Sequence, residues 1–65
     1  MNDKSWSRSN AWNVSVTAQL SRLMPTYDWK LDTCELTRRI CWDQHMSPLS
    51  TALVIIDSDE FAELD

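Results

Sequence analysis

The chain contains no glycine. Glycine supplies much of the left-handed backbone that tight turns and helix ends use, because it has no Cβ to clash. A chain without it must turn on Asn, Asp, Ser or Pro and should hold few residues at positive φ. The absence also removes every glycine-rich phosphate cradle, where the backbone must come closer to the phosphate than a Cβ permits. Nucleotide-binding enzymes built on such loops are excluded on that ground.

Size sets the next limit. The 65 residues make one domain, and a chain of this length buries only about 60% of the surface it exposes when unfolded, so a deep, dry active site is not expected. The chain is nonetheless globular in character: 43% of its residues are apolar, and Trp6, Trp12, Trp29 and Trp42 can each remove a large area from water. Its longest apolar run, residues 52–56, is five residues, against the ~20 needed to cross a bilayer. The opening residues, MNDKSWSRSN, hold no apolar signal segment. These features predict a soluble cytoplasmic protein with no membrane partner.

Residues 1–10 read as a polar N-terminal arm and residues 11–65 as a single compact domain. From Trp12, the residues Trp12, Val14, Val16, Ala18 and Leu20 alternate with polar ones. This period of two, with β-branched Val14, Val16 and Thr17, predicts a half-buried strand. A helical stripe through Trp12, Val16, Leu20, Leu23 and Met24 is the competing reading. Tyr27, Trp29 and Leu31 continue the alternation into a second predicted strand. Asp32 to Glu35 resembles a capping box opening a helix over residues 33–45, with Leu36, Ile40 and Cys41 inward. Residues 52–56 read either as a third strand or as part of a helix capped by Ser47, with Pro48 in its first turn and a stripe of Leu49, Leu53 and Ile56. Ser58 is placed to cap a short helical turn with Asp59 and Glu60 in its first turn, and Phe61 and Leu64 are expected to tuck against the core if the C-terminus is a solvated tail. The predicted fold is a small α+β domain of about three antiparallel strands with one helix on one face, ββαβ.

Chemistry-bearing residues are few. Cys41 and His45 stand four apart on the predicted helix, a spacing that offers two ligands to Zn²⁺, but with Cys34 only three N or S candidates exist where a structural site needs four. Two reduced thiols without metal are expected. His45 is the only histidine, and no serine lies in a nucleophile turn, so no enzyme activity and no cofactor are predicted. Lys4, Trp6 and Arg8 form a small basic-aromatic group in the arm, yet the formal net charge of −4 opposes direct binding of a polyanion.

The charge is segregated. Residues 1–27 balance at +2 and residues 28–65 at −6, and five carboxylates fall in the last nine residues, DSDEFAELD. A solvated tail is the plain explanation. The sharper one is a carboxylate array that imitates the phosphates of a nucleic acid and occupies the basic groove of a protein partner. Asp57, Asp59, Glu60, Glu63 and Asp65 would form its centre, with Asp28, Asp32, Glu35 and Asp43 as extensions.

In length, acidity, initiating Met1 and lack of enzyme motifs, the chain resembles the small inhibitor proteins of phages and mobile elements, the anti-CRISPR proteins among them. The resemblance implies a protein-binding inhibitor in a bacterial host cytoplasm that blocks a surveillance complex, in some members as a DNA mimic. It rests on composition alone and carries no individual residue. An antitoxin-like or regulatory partner that binds through an apolar patch anchored by Trp6 or Trp42 is the alternative. A small metal-binding or redox domain using Cys34, Cys41 and His45 is a third reading.

Overall fold

The nine alternating residues, 12–20, form a helix and not a strand. The computed structural model describes residues 3–58 and 61. Its elements are α1 (Asp3–Ser7), α2 (Asn10–Leu23), α3 (Glu35–Asp43) and α4 (Pro48–Ile56), with no strand among the described residues. The expected ββαβ arrangement is overturned: the protein is a small all-helical domain. α4 packs across α2 and also touches α3.

The strand prediction for α2 fails for a reason visible in the spacing. Positions 12, 16 and 20 belong both to a two-residue series and to a four-residue series, so a strand and a helix share these members. The residue that tells them apart is Val14, which is 48% exposed while Val16 and Leu20 are fully buried. A strand would have put all three on one face. The β-branched residues cost a helix only a few tenths of a kcal/mol each, whereas burying a Val or Leu side chain stabilises by about 1.5–3 kcal/mol. Burial decides. The helix stops at Leu23 because Met24 precedes Pro25, which pushes it out of helical dihedrals; Met24 sits at φ −136, ψ 76.

The predicted second strand is a turn-rich connection. Leu31, meant to share its buried face, is 48% exposed. Tyr27 and Trp29 instead join Phe61 in an aromatic cluster, with ring centroids 4.4 Å (Tyr27–Trp29), 5.2 Å (Trp29–Phe61) and 5.4 Å (Tyr27–Phe61) apart. The Trp29 indole N–H donates to the Met24 carbonyl at 3.0 Å, which satisfies its only polar atom. Phe61 is buried as expected, and its N–H donates to Ser58 Oγ at 3.2 Å; Leu64 lies outside the described residues. With Val16, Leu20, Cys34, Ala52 and Ile55 these rings make the core.

Residues 52–56 belong to α4, so the strand alternative for them is also overturned. Ser47 Oγ accepts from the Ser50 N–H at 3.2 Å, and Pro48 takes the first helical position, where its missing N–H leaves nothing unsatisfied. The inward face is Thr51, Ala52 and Ile55; Leu49 and Leu53, expected in the buried stripe, are about half exposed.

α3 begins later than predicted and turns a different face inward. Its N-cap is Cys34, in left-handed backbone at φ 59, ψ 45, and the cap has no side-chain hydrogen bond, so the capping box predicted at Asp32 does not form. Cys34, Arg38 and Cys41, at steps of four and three, are buried, whereas Leu36 and Ile40 are 62% and 49% exposed. The inward place of Arg38 is what reverses the expected face.

Two non-glycine residues, Cys34 and His45, hold positive φ among the described residues. His45 (φ 57) follows the C-cap of α3. Its N–H donates to the Trp42 carbonyl at 3.0 Å and the Met46 N–H to the Cys41 carbonyl at 3.1 Å. This is the paired closure that usually uses glycine. Left-handed backbone costs a residue with a Cβ about 1–2 kcal/mol. His45→Gly is therefore expected to raise stability by about 1 kcal/mol after the added entropy of the unfolded chain is subtracted. Urea titration of the two proteins checks the sign.

Candidate functional site

Arg38 organises the packing of α3 against α2 and the connection between them. Its guanidinium is fully buried and uses all its donors. Nε donates to the Thr33 carbonyl (2.7 Å), Nη1 to the Asn13 carbonyl and to Asn13 Oδ1 (both 3.2 Å), and Nη2 to Thr17 Oγ1 (3.0 Å) and the Lys30 carbonyl (2.9 Å). One side chain of α3 thus ties α2 to the connection that carries Asp28 and Asp32. Burial pushes the guanidinium below its ordinary pKa, while Cys34 and Asp32 pull it back up; arginine stays charged at any pH of interest. None of these contacts is a carboxylate, so oriented carbonyls and amides hold the charge. Sequence reasoning passed over Arg38. The signal was there: it stands between Cys34 and Cys41 on their own helical stripe.

Beside this hub lies an open cleft of about 430 Å³, lined by Trp6, Ser9, Asn13, Leu31, Asp32 and Glu35 among others. Asn13 Nδ2 donates to Ser9 Oγ (2.9 Å) and to the Ser9 carbonyl (3.1 Å), and the Ser9 hydroxyl donates to the Trp6 carbonyl (2.6 Å), so its floor is fully hydrogen-bonded. Glu35 faces Arg39 at 4.0 Å, and the Arg39 guanidinium lies 4.9 Å from the centre of the Trp6 ring. Arg39 and the buried Arg38 offset the two rim carboxylates. The cleft is therefore not where negative charge is concentrated.

Of the candidate acids, Asp28, Asp32, Glu35, Asp43 and Asp57 are all exposed; Asp59, Glu60, Glu63 and Asp65 lie outside the described residues. Only Asp32 and Glu35 are brought to a common feature, the cleft. Asp28 stands in the connection after α2, Asp43 in the last turn of α3 and Asp57 at the C-cap of α4. Asp28, Asp32, Asp43 and Asp57 make no ion pair with a described residue. The last turns of α3 and α4 carry no base, so Asp43 and Asp57 sit against the negative ends of their helix dipoles, each at a cost of about 0.3–1 kcal/mol.

The remaining candidates have structural partners. Neither cysteine forms a disulfide and both are buried; burial pushes the Cys41 thiol up, with Thr51 opposing, which keeps it protonated and unreactive. No group of three or more His, Cys, Asp or Glu converges for a metal among the described residues. Trp42 meets Trp12 edge to face at 5.2 Å and donates its indole N–H to Ser5 Oγ at 2.9 Å, which attaches α1 to the body. Trp6 and Trp42 are both half-buried in these contacts. No helix of the described residues is long and apolar enough to cross a membrane. Comparison with protein-family models, curated proteins and solved structures finds no match.

Proposed function

We propose that the protein is a non-enzymatic interaction protein, and specifically an inhibitor whose carboxylates occupy the basic nucleic-acid-binding surface of a protein partner, in the manner of the anti-CRISPR proteins that act as DNA mimics. The observation that carries this reading is the placing of Asp43 and Asp57. Both are exposed, unpaired among the described residues and set where their own helices disfavour a negative charge. Folding gains nothing from them, and residues that oppose local stability are commonly kept for binding. With Asp28 and the acids of the C-terminal segment they would present separated charges on a rigid helical body, and long-range attraction would steer them to a cationic groove.

The test is a pair of measurements with opposite expected signs. Asp43→Asn with Asp57→Asn should raise stability by about 0.3–1 kcal/mol per site. The same change should weaken capture of nucleic-acid-binding proteins from a bacterial lysate by at least tenfold, equivalent to about 1.4 kcal/mol, with added duplex DNA displacing whatever the parent holds. Attraction of this kind is screened as the Debye length falls from about 10 Å at 0.1 M salt to about 3 Å at 1 M. If the neutralised protein retains the same partners at both salt concentrations, the acids serve solubility and the reading fails.

A further inference from the structure

The open cleft beside Arg38 already shows what its walls accept. Trp6 and Glu35 line it, and between them they hold a guanidinium: that of Arg39 lies 4.9 Å from the centre of the Trp6 ring and 4.0 Å from the Glu35 carboxylate. Leu31 and Asp32 line it as well. Leu31 is 48% exposed, and Asp32 is exposed and makes no ion pair with a described residue. The nearby Arg38 does not take up that carboxylate, because its donors go to three carbonyls, an amide oxygen and a hydroxyl.

We propose that the cleft is a binding site for an arginine side chain of a protein partner, whose guanidinium pairs with Asp32 and exchanges with Arg39 on Trp6 while its methylene stem lies along Leu31. The proposal rests on the reading of a basic partner surface given above and names one side chain by which that surface is held.

The lining selects arginine over other ligands. A planar guanidinium stacks on an indole and grips a carboxylate with two parallel donors, whereas the ammonium of lysine is a compact, strongly hydrated point charge. Phosphates of a nucleic acid or a membrane would face two carboxylates on the rim. A metal ion lacks donors, since no three His, Cys, Asp or Glu converge among the described residues. The floor adds no demand of its own, because Ser9 and Asn13 satisfy one another and the Trp6 carbonyl.

Exchange with Arg39 is open to an incoming side chain. Glu35 and Arg39 stand four apart on one helix, both in reach of water, at a separation longer than a hydrogen bond, and pairs of that kind contribute little. Arg38 and Arg39 cancel much of the rim's charge, so one arginine binds weakly, with a dissociation constant of about 1–10 mM. The site therefore adds to a larger contact and does not replace it.

Nuclear magnetic resonance of the whole chain tests this without the partner, using arginine capped as its N-acetyl amide as the probe and the capped lysine at equal ionic strength as the comparison. Arginine should move the Trp6 indole N–H and the amides of Asp32 and Glu35 along a saturable curve, and lysine should bind at least about tenfold more weakly. Asp32→Asn should weaken arginine binding by at least about threefold, and Arg39→Gln, which removes the internal competitor, should tighten it by a similar factor. Leu31→Ala changes no charge and should also weaken it, which keeps the test alive should Asp32→Asn lose helical circular dichroism. Asp43→Asn, at the other end of α3, should bind the probe like the parent. Capture of a partner that depends on Asp43 and Asp57 is read separately, so the two readings fail separately. Shifts that do not saturate, equal binding of lysine and arginine, or weaker binding in Arg39→Gln would each overturn the proposal.

Discussion

Arg38→Ala is expected to leave the protein largely unfolded at 25 °C. The substitution deletes five hydrogen bonds and takes the charged donor from the Thr33 carbonyl, Asn13 Oδ1 and Thr17 Oγ1, while the Lys30 carbonyl keeps the Thr33 N–H and the Asn13 carbonyl keeps its place in α2. Removing one member of a buried charged network costs about 3–5 kcal/mol, because the groups left behind have already given up water. A chain of 65 residues has a total stability of only about 3–10 kcal/mol. The two quantities are comparable, so the native state loses most of its margin. Arg38→Lys should not restore it, since one ammonium cannot span acceptors spread over α2 and the connection after it. Circular dichroism through a urea titration measures the loss. Amide exchange at Lys30 and Thr33 in Arg38→Lys shows whether the connection opens first. A midpoint for Arg38→Ala within about 1 kcal/mol of the parent would mean that water takes over the five acceptors and that the network is dispensable.

Phe61→Ala should be the next most damaging change, at about 3 kcal/mol. Phe61 is 7% exposed and stacks on Trp29 at 5.2 Å while meeting Tyr27 at 5.4 Å. Its loss opens a cavity in the aromatic cluster of Tyr27 and Trp29. For a domain of this size each kcal/mol moves the thermal midpoint by about 4–8 °C, so the expected fall is more than about 12 °C. Neutralising Asp59, Glu60 and Glu63, its neighbours in sequence, is expected to move the midpoint by only a few degrees. The contrast separates the two sides of one segment, an aromatic anchor and its charged flank. Equal effects of the two changes would mean that the ring does not hold the segment to the core.

The fold class was not legible, but single features were. Ser47 and Pro48 mark the start of α4, as the helical alternative for that stretch had it, and Phe61 is buried against the core. What misled was period. Trp12, Val16 and Leu20 satisfy two periodicities together, and the β-branched residues between them carry a preference of tenths of a kcal/mol, too weak to choose. The same limit applies to α3. Leu36 and Ile40 looked like its inner face because apolar residues are expected inside, whereas the inner face is set by Arg38 reaching acceptors on α2 and on the connection. No local pattern reports such acceptors, since they come from residues 5 to 25 positions away.

For the acids, the sequence determined their number and their concentration after residue 28, and the absence of glycine determined that α3 would close on a residue with a Cβ, as it does at His45. These are properties of composition and of the chain's covalent chemistry, and no packing changes them. Tertiary structure alone decided that Asp32 and Glu35 share a cleft with two arginines nearby while Asp43 and Asp57 stand unpaired at helix ends. It also decided which apolar residues of α4 stay in water. Both outcomes depend on which face each helix turns to its neighbours, and that is settled by the free energy of burying whole side chains against one another, a quantity that belongs to the packed pair and to neither helix alone.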